Sequence, residues 1–398
     1  MFKIWLLSLI FVLFNIIKVE HNIANTEECL QSFADFAYPS FEDWSINSDI
    51  DWGWQLVANI PNDLDESYAI NYPLFSTELS RIIDGQQEIW ISGFNSSGHS
   101  WFIYNLDTGN WKTIPKTIIG TNLQTGNLFS INDEAILSSV TWNIFSDSID
   151  LETAPIFSKF NEEKGLFEIL EIDLSIPVLR ERFYFGKSVS VFPKIIFDNS
   201  GIFWIIINFD GIYRYDSISP QTNKVTDLFN YPIQDAVLDR NHGLYLSVPS
   251  KSLFSLSDET LLYFNPALND ITEVHVPDEP WLEFFGMGID QINRLWLGAI
   301  GYIDSDRIWH LIHPNPEYYL ANAGNMRYGP PELILISSDN RLWYMRYTDG
   351  SREGVAWYNP ETDEGCMFTG RPANIIEDNN QTLWMVIDGN LYKYSLND

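Results

Sequence analysis

Basic residues are scarce in this chain: 23 Lys and Arg stand against 54 Asp and Glu, which gives a formal net charge of −31. Nucleic acids and anionic lipid surfaces are bound through Lys and Arg, so this balance excludes both as partners of the folded domain. The sequence also lacks the H-E-x-x-H, G-x-S-x-G and P-loop phrases and any complete EF-hand loop. No catalytic class with one of these signatures is indicated.

Long apolar runs are absent after residue 17. The single run, Ile4–Ile17, follows Lys3 and would rise only about 21 Å as a helix, which is short of a hydrocarbon core of about 30 Å. We predict that residues 1–24 are a signal peptide, with an uncleaved N-terminal anchor as the alternative, and that residues 25–50 are an N-terminal extension. The protein is then extracytoplasmic: secreted, periplasmic or at the cell surface.

Cysteine is nearly absent, since the chain contains only Cys29 and Cys366. In an exported chain such a pair favours a disulfide, and two unrelated buried thiols are the alternative.

A short phrase recurs along the chain: an Asp-containing turn, then an aliphatic residue and Trp. The copies and variants are Asp84–Trp90, the degenerate Ile131–Val140, Asp198–Trp204, Asp239–Tyr245, Asp290–Trp296, Asp339–Trp343 and Asp378–Trp384. The mean spacing of the final aromatic is about 49 residues, which is typical of a β-propeller blade made of four short strands. We predict that each repeated Trp is a core residue between blades and that each Asp caps its turn.

Each repeat divides into four strands, a to d. In the third repeat these are predicted at Lys194–Phe197, Ile202–Ile207, Gly211–Tyr215 and Lys224–Phe229. The seventh repeat ends after strand c, whereas residues 52–58 have the form of a d strand without the other three. We therefore predict an all-β fold over residues 51–398, a seven-bladed β-propeller whose last blade is closed by an N-terminal strand.

The longest connections are predicted between strands b and c and between strands d and a, which open on one face of a propeller, here called the long-loop face. That face is predicted to hold ten ligand-binding residues: Trp142, Arg180, Arg182, Trp281, Tyr318, Tyr319, Arg327, Tyr328, Arg346 and Arg352. Aromatic rings stack on sugars, and guanidinium groups bind carboxylates and other oxygens. The alternative is that these Arg pair with the abundant Asp and Glu.

The Asp-to-Trp phrase, followed by the G-I-Y-R-Y-D strand at Gly211–Asp216, resembles the two-component-regulator propeller repeat over about residues 78–397. That resemblance implies an extracellular sensor domain that reads a ligand, often a glycan fragment. The repeat is also similar to that of streptogramin lyases and gluconolactonase-like propellers, which are metal-dependent enzymes.

The predicted function is a non-enzymatic binding module for a glycan or a protein partner, with no required cofactor. The alternative is a metal-dependent lyase or lactonase-like enzyme that uses a divalent ion such as calcium. Among the six His, only His99 is predicted in a connection of the long-loop face, so a His-centred metal site has little support in the sequence.

Overall fold

The computed structural model describes residues 54–61, 75–83, 86–95, 98–115, 123–131, 134–141, 152–153, 155–169, 179–180, 183–184, 187–188, 194–198, 202–207, 211–216, 221–227, 233, 235–248, 260–276, 286–298, 301–312, 332–348, 351–362, 364–369, 372–387 and 389–396. The regular elements in these ranges are β-strands. No helix in the described ranges has the length and apolarity of a membrane span.

Seven four-stranded antiparallel sheets account for most of these strands. The chain enters through β1 (Gln55–Asn59), which belongs to the last sheet. Sheet 1 contains β2 (Phe75–Ile83), β3 (Gln86–Asn95), β4 (Gly98–Asn105) and β5 (Trp111–Pro115). Sheet 2 begins with β6 (Leu123–Ile131) and β7 (Glu134–Thr141), and after the short β8 (Glu152–Thr153) it continues with β9 (Pro155–Asn161) and β10 (Leu166–Ile169).

Three two-residue strands follow sheet 2: β11 (Leu179–Arg180), β12 (Phe183–Tyr184) and β13 (Lys187–Ser188). Sheet 3 contains β14 (Lys194–Phe197), β15 (Ile202–Ile207), β16 (Gly211–Asp216) and β17 (Gln221–Asp227). Sheet 4 contains β18 (Asp235–Leu238), β19 (Leu244–Val248), β20 (Thr260–Asn265) and β21 (Asp270–Val274).

Sheet 5 contains β22 (Met287–Ile289), β23 (Leu295–Leu297), β24 (Gly301–Ile303) and β25 (Trp309–Leu311). Sheet 6 contains β26 (Glu332–Ile336), β27 (Leu342–Thr348), β28 (Ser351–Asn359) and β29 (Glu364–Thr369). Sheet 7 contains β30 (Pro372–Glu377), β31 (Thr382–Ile387) and β32 (Asn390–Ser395), together with β1.

Sheet 3 shows how closely the repeat specifies its strands. The first two strands have the bounds predicted from the sequence, and the third extends one residue further, to Asp216. The fourth runs over Gln221–Asp227 instead of Lys224–Phe229, because Gln221 already pairs with Asp216. The connection between strands c and d is therefore shorter than the predicted strand ranges implied.

The last sheet is completed from the other end of the chain. Gln55 pairs with Lys393 and Asn59 pairs with Asn390, with a bulge between Leu56 and Ala58. The Ile60 amide then donates to the Gly389 carbonyl at 3.0 Å. The predicted d strand at residues 52–58 is thus observed over Gln55–Asn59, beginning three residues later and ending one residue later, and it covers what would otherwise be an open edge of β32.

The core lies between successive sheets. Trp90 packs with Phe160 of sheet 2, Trp204 with Phe264 of sheet 4, and Trp296 with Tyr344 of sheet 6. Trp343 packs with Met385 of sheet 7, and Trp384 with Phe102 of sheet 1. These five Trp are at most 3% exposed, so the predicted core role of the repeated Trp is confirmed. Truncating a side chain of this size in such a core costs about 3–5 kcal/mol.

Inner strands bring the sheets together in chain order. In each of sheets 3 to 6, the first strand lies beside the first strand of the following sheet. The first strand of sheet 1 lies beside the first strands of sheets 2 and 7. Sheets 1 and 7, from opposite ends of the chain, are therefore direct neighbours.

Candidate functional site

The predicted binding residues fall mostly outside the described part of the chain. Those outside it are Trp142, Arg182, Trp281, Tyr318, Tyr319, Arg327 and Tyr328. Three are placed by their backbone: Arg180 in β11, Arg346 in β27 and Arg352 in β28. The binding role of all ten residues stays a prediction.

The connections of sheet 2 meet at one end of the sheet. β8 lies between strands b and c, β11 lies between sheets 2 and 3, and the two strands pair, with Arg180 opposite Glu152. The same end of sheet 6 carries a long hairpin, because β27 and β28 continue pairing to Thr348 and Ser351. Arg180 therefore lies on a connection at the b–c end of its sheet, whereas Arg346 and Arg352 lie within the paired strands of the sheet 6 hairpin, toward the same end.

One detail of the sequence predictions changes, and the predicted disulfide stays as it was. His99 lies within β4, opposite Phe94, because the β3–β4 hairpin is tight where a longer connection was expected. Cys366 lies in β29 opposite Trp357, while Cys29 is outside the described residues, so their disulfide stays a prediction.

The opposite ends of the sheets carry the a–b and c–d turns, which we call the turn face. The turn after β22 shows the recurring geometry in full. Asp290 Oδ1 accepts from the amides of Ile292 at 3.1 Å and Arg294 at 2.8 Å. Asp290 Oδ2 accepts from Trp296 Nε1 at 2.9 Å and Arg294 Nε at 2.5 Å. One fully buried carboxylate therefore fixes both the turn and the core Trp that follows it.

The same arrangement recurs at sheet 7. Asp378 Oδ1 accepts from the amides of Asn380 at 2.8 Å and Thr382 at 2.9 Å, and Asp378 Oδ2 accepts from Trp384 Nε1 at 2.8 Å. The predicted capping role of the Asp is confirmed here. The bond from Asp to Trp was missed, although the sequence contained a signal for it: Asp84, Asp198, Asp290 and Asp378 each stand six positions before their Trp.

These turns also share a left-handed residue. The fourth residue of each turn has a positive φ: His242 at 62°, Asn293 at 68°, Asn340 at 67° and Gln381 at 60°. Asn tolerates this conformation better than most residues with a Cβ, which accounts for its repeated presence in the phrase.

In sheet 4 the hydrogen bond to the Asp carboxylate comes from a tyrosine hydroxyl on a neighbouring strand and not from a Trp indole. Tyr263 OH donates to Asp239 Oδ2 at 3.0 Å, while Asp239 Oδ1 accepts from the Gly243 amide at 2.7 Å. A Cβ on Gly243 would come within 2.1 Å of the Tyr263 hydroxyl oxygen, so only glycine allows this approach. Burial, together with the hydrogen bond to the Asp239 carboxylate, raises the pKa of Tyr263 to about 12.

The copies in sheets 6 and 3 depart from the pattern, and so does the copy in sheet 1, where Trp90 Nε1 donates to Glu88 Oε2 at 3.1 Å. In sheet 6 the residue six positions before Trp343 is Ser337, and Trp343 Nε1 donates to Ser337 Oγ at 3.0 Å. Asp339, the predicted start of this copy, instead forms an ion pair with Arg341 at 2.9 Å. In sheet 3 Trp204 Nε1 is buried without a hydrogen-bond partner among the described residues. Asp198 there caps the Ile202 amide at 3.1 Å.

A further turn of this kind was not predicted. In the c–d turn of sheet 5, Asp304 Oδ1 accepts from the amides of Asp306 at 3.0 Å and Ile308 at 2.9 Å. Asp304 Oδ2 lies 2.7 Å from His310 Nε2, six residues on, where the other copies have Trp. The hydrogen bond with His310, followed by those from the backbone, lowers the pKa of Asp304. This carboxylate is therefore a structural cap of its turn.

Side chains on the turn face also link neighbouring sheets. Arg240 Nε of sheet 4 donates to the Asp290 carbonyl of sheet 5 at 3.0 Å. The Gln291 amide donates to Asn340 Oδ1 of sheet 6 at 3.2 Å, and the Ser338 amide donates to Glu377 Oε2 of sheet 7 at 2.8 Å. The a–b turns of sheets 4 to 7 are thus linked to their neighbours by hydrogen bonds.

Within the described ranges, no three or more His, Cys, Asp or Glu are grouped as a metal site would require.

Comparisons with known proteins give similarity in fold only. No family model matches the sequence, and no curated protein matches it. Among solved structures, the chain is similar to YCF48 bound to D1 peptide, with a TM-score of 0.49 and 13% identity over 86% of this chain and 97% of that one.

It is also similar to PorZ, an essential bacterial surface component of the type-IX secretion system of Porphyromonas gingivalis, with a TM-score of 0.46 and 13% identity. That match covers 80% of this chain but only 46% of PorZ. A third is the extracellular domain of the putative one-component system BT4673 from B. thetaiotaomicron, with a TM-score of 0.35 and 14% identity over 79% of this chain and 39% of that one. The chain is an all-β protein of repeated four-stranded antiparallel sheets.

Proposed function

We propose that this chain is an exported, non-enzymatic binding module, built as a closed seven-bladed β-propeller, which captures an anionic ligand at its long-loop face. The ligand that we propose is an acidic oligosaccharide. The observation that carries this proposal is the backbone pairing of β11 with β8, because it joins two long connections into one structured surface at the b–c end of a sheet. Arg346 and Arg352 lie on the extended hairpin at the equivalent end of sheet 6.

The closed ring is supported by three features of the described chain. There are seven four-stranded sheets, the key aromatic of six of them packs onto the next sheet, and β1 completes the seventh. Export rests on the apolar run in residues 1–24. The proposal includes the resemblance to the two-component-regulator repeat, which implies that the bound ligand is sensed.

Arginine on this face has a specific physical meaning in so acidic a chain. A net charge of −31 repels anions at a distance, so an anionic ligand would have to be held by guanidinium groups gathered at the site. Bidentate guanidinium–carboxylate contacts are stronger than neutral hydrogen bonds, and truncating one costs about 1.5–3 kcal/mol.

The test is binding to an array of acidic and neutral oligosaccharides by the full chain and by the double variant Arg346→Ala/Arg352→Ala. We expect selective capture of uronic-acid-containing glycans by the parent and a loss of at least about tenfold in the double variant, with the melting temperature unchanged. Arg214→Ala, in the middle of β16, is the matched control and should bind like the parent.

Binding that is equal in the parent and the double variant would refute the assigned face. Retention of a protein partner without capture of any glycan would refute the proposed ligand class. An enzymatic activity that is lost when divalent ions are chelated would refute the non-enzymatic assignment.

A further inference from the structure

Exposed apolar side chains are concentrated on one part of the turn face. Four large hydrophobic residues of the described chain are well exposed, and three of these lie in turns of the adjacent sheets 4 and 5: Leu268 at 73%, Ile292 at 60% and Ile308 at 56%. Ile292 is in the a–b turn of sheet 5, Ile308 in its c–d turn and Leu268 in the c–d turn of sheet 4. Single exposed hydrophobic residues are ordinary, but a group of three on neighbouring turns indicates an interaction surface.

Two arginines lie within this group. Arg240 is held beside Ile292 by the bond from its Nε to the Asp290 carbonyl, at 3.0 Å, and by the bond from its amide to Asn293 Oδ1, at 3.2 Å. Arg307 precedes Ile308, and its Cζ lies 5.1 Å from the ring centroid of Tyr263 in sheet 4. Both Arg are exposed.

Neither guanidinium forms a salt bridge with a carboxylate of the described residues. We call Arg240, Leu268, Ile292, Arg307 and Ile308 the 4/5 patch. Because it combines apolar and cationic groups on an otherwise acidic protein, its best partner is an acidic segment rich in apolar side chains.

The chain itself contains such a segment. Residues 26–53 include seven Asp and Glu, no Lys or Arg, and six aromatic residues. Their point of entry is on the turn face: β1 pairs with β32 so that its Asn59 end meets the b–c end of sheet 7, and its Gln55 end points the other way. Trp54 lies there against Trp343 and Tyr394, with ring centroids 5.9 and 5.4 Å apart.

The segment is also long enough. About 28 residues in extended form reach up to about 90 Å, several times the width of a sheet, and only sheet 6 separates sheet 7 from sheet 5. We propose that residues 26–53 dock on the 4/5 patch, with their carboxylates near Arg240 and Arg307 and their aromatic rings over Leu268, Ile292 and Ile308.

Cleavage by a Glu-specific protease tests this in the full chain, because Glu42 lies in the middle of the segment. Docking protects Glu42, so the double variant Arg240→Glu/Arg307→Glu should be cut there at least about tenfold faster than the parent. Raising the salt concentration to about 0.5 M should accelerate cleavage of the parent, since it screens exposed charges. Lys164→Glu, on the turn face at sheet 2, is the matched control and should be cut at the parental rate.

A second variant separates docking from any loosening caused by loss of the Arg240 bond. Ile292→Ser/Ile308→Ser keeps both arginines and should also speed cleavage, with the melting temperature unchanged. Introducing Asp35→Arg and Asp43→Arg into the Arg240→Glu/Arg307→Glu chain should slow cleavage again, because the charges become complementary once more.

The proposal fails if Glu42 of the parent is cut as fast as in a synthetic peptide of residues 26–50, or if the patch variants leave the rate unchanged. It also fails if sedimentation shows a dimer that the same variants dissociate, because a second copy then occupies the patch.

Discussion

Gln87 Nε2 of sheet 1 donates a hydrogen bond of 2.6 Å to Asp378 Oδ2 of sheet 7. The other end of the same amide is also used, since Asn380 Nδ2 donates to Gln87 Oε1 at 3.3 Å. Asp378 at the same time caps its own turn and binds Trp384. The junction between the first and last sheets is therefore held by side chains on the turn face as well as by the pairing of β1 with β32.

The contribution of β1 can be measured within that strand. Val57 packs against the cluster shared by sheets 1 and 7, whereas its neighbour Leu56 is 57% exposed. We expect Val57→Asp to lower the free energy of unfolding by about 3 kcal/mol, because it buries a charge at the junction, and Leu56→Asp to change it by less than about 0.5 kcal/mol. Urea denaturation of the two variants measures this. Equal, small effects would show that β1 does not contribute to the stability of sheet 7.

The indole bonds offer a matched pair of substitutions. Trp296 Nε1 donates to Asp290 at 2.9 Å, whereas the equally buried Trp204 Nε1 has no hydrogen-bond partner among the described residues. Phenylalanine removes similar apolar area at both sites, so the difference between Trp296→Phe and Trp204→Phe reports the charge-assisted bond. We expect Trp296→Phe to be more destabilising by about 1–2 kcal/mol, measured by chemical denaturation. The reverse order would mean that packing dominates at these positions.

Tyr263 predicts a dependence of stability on alkaline pH. Its pKa is raised from 10.0 to about 12, so between these values the unfolded chain releases the phenolic proton while the folded chain keeps it. The unfolded state then binds fewer protons, and the free energy of unfolding falls as the pH rises from about 10 to about 12. Tyr263→Phe should lose stability less steeply over this interval. Parallel curves for parent and variant would show that the Tyr263–Asp239 bond does not persist in solution.

Local patterns in the sequence predict local structure well here. The six-residue spacing of Asp290 to Trp296 locates a turn and the start of a buried strand, because turn chemistry and core packing act within one hairpin. The d strand near residue 55 could be assigned for a different reason: it was the piece missing from the seventh repeat. Because the strands of each repeat can be counted, a pairing between distant parts of the chain becomes predictable.

Relationships between repeats were beyond this reasoning. The sequence does not reveal that Arg240 reaches the Asp290 carbonyl, because that contact depends on how two sheets are rotated against each other. Ser337 shows a second limit. The Ser337 hydroxyl accepts the hydrogen bond from Trp343 as a carboxylate would. This copy therefore keeps the geometry of the turn although it lacks the Asp that marks the other copies in the sequence. The ribbon of β8 and β11 lies in connections that have no repeat to guide prediction.

Because β1 pairs with β32, β1 is synthesised long before the strand with which it pairs. β1 leaves the ribosome with no partner and must wait until β32 has been made. During that interval the edge of β1 is open to pairing with other chains, a hazard that grows with the number of molecules being translated side by side. A permuted chain that starts at β2 and carries β1 after β32 would form its last hairpin immediately, and should aggregate less during expression.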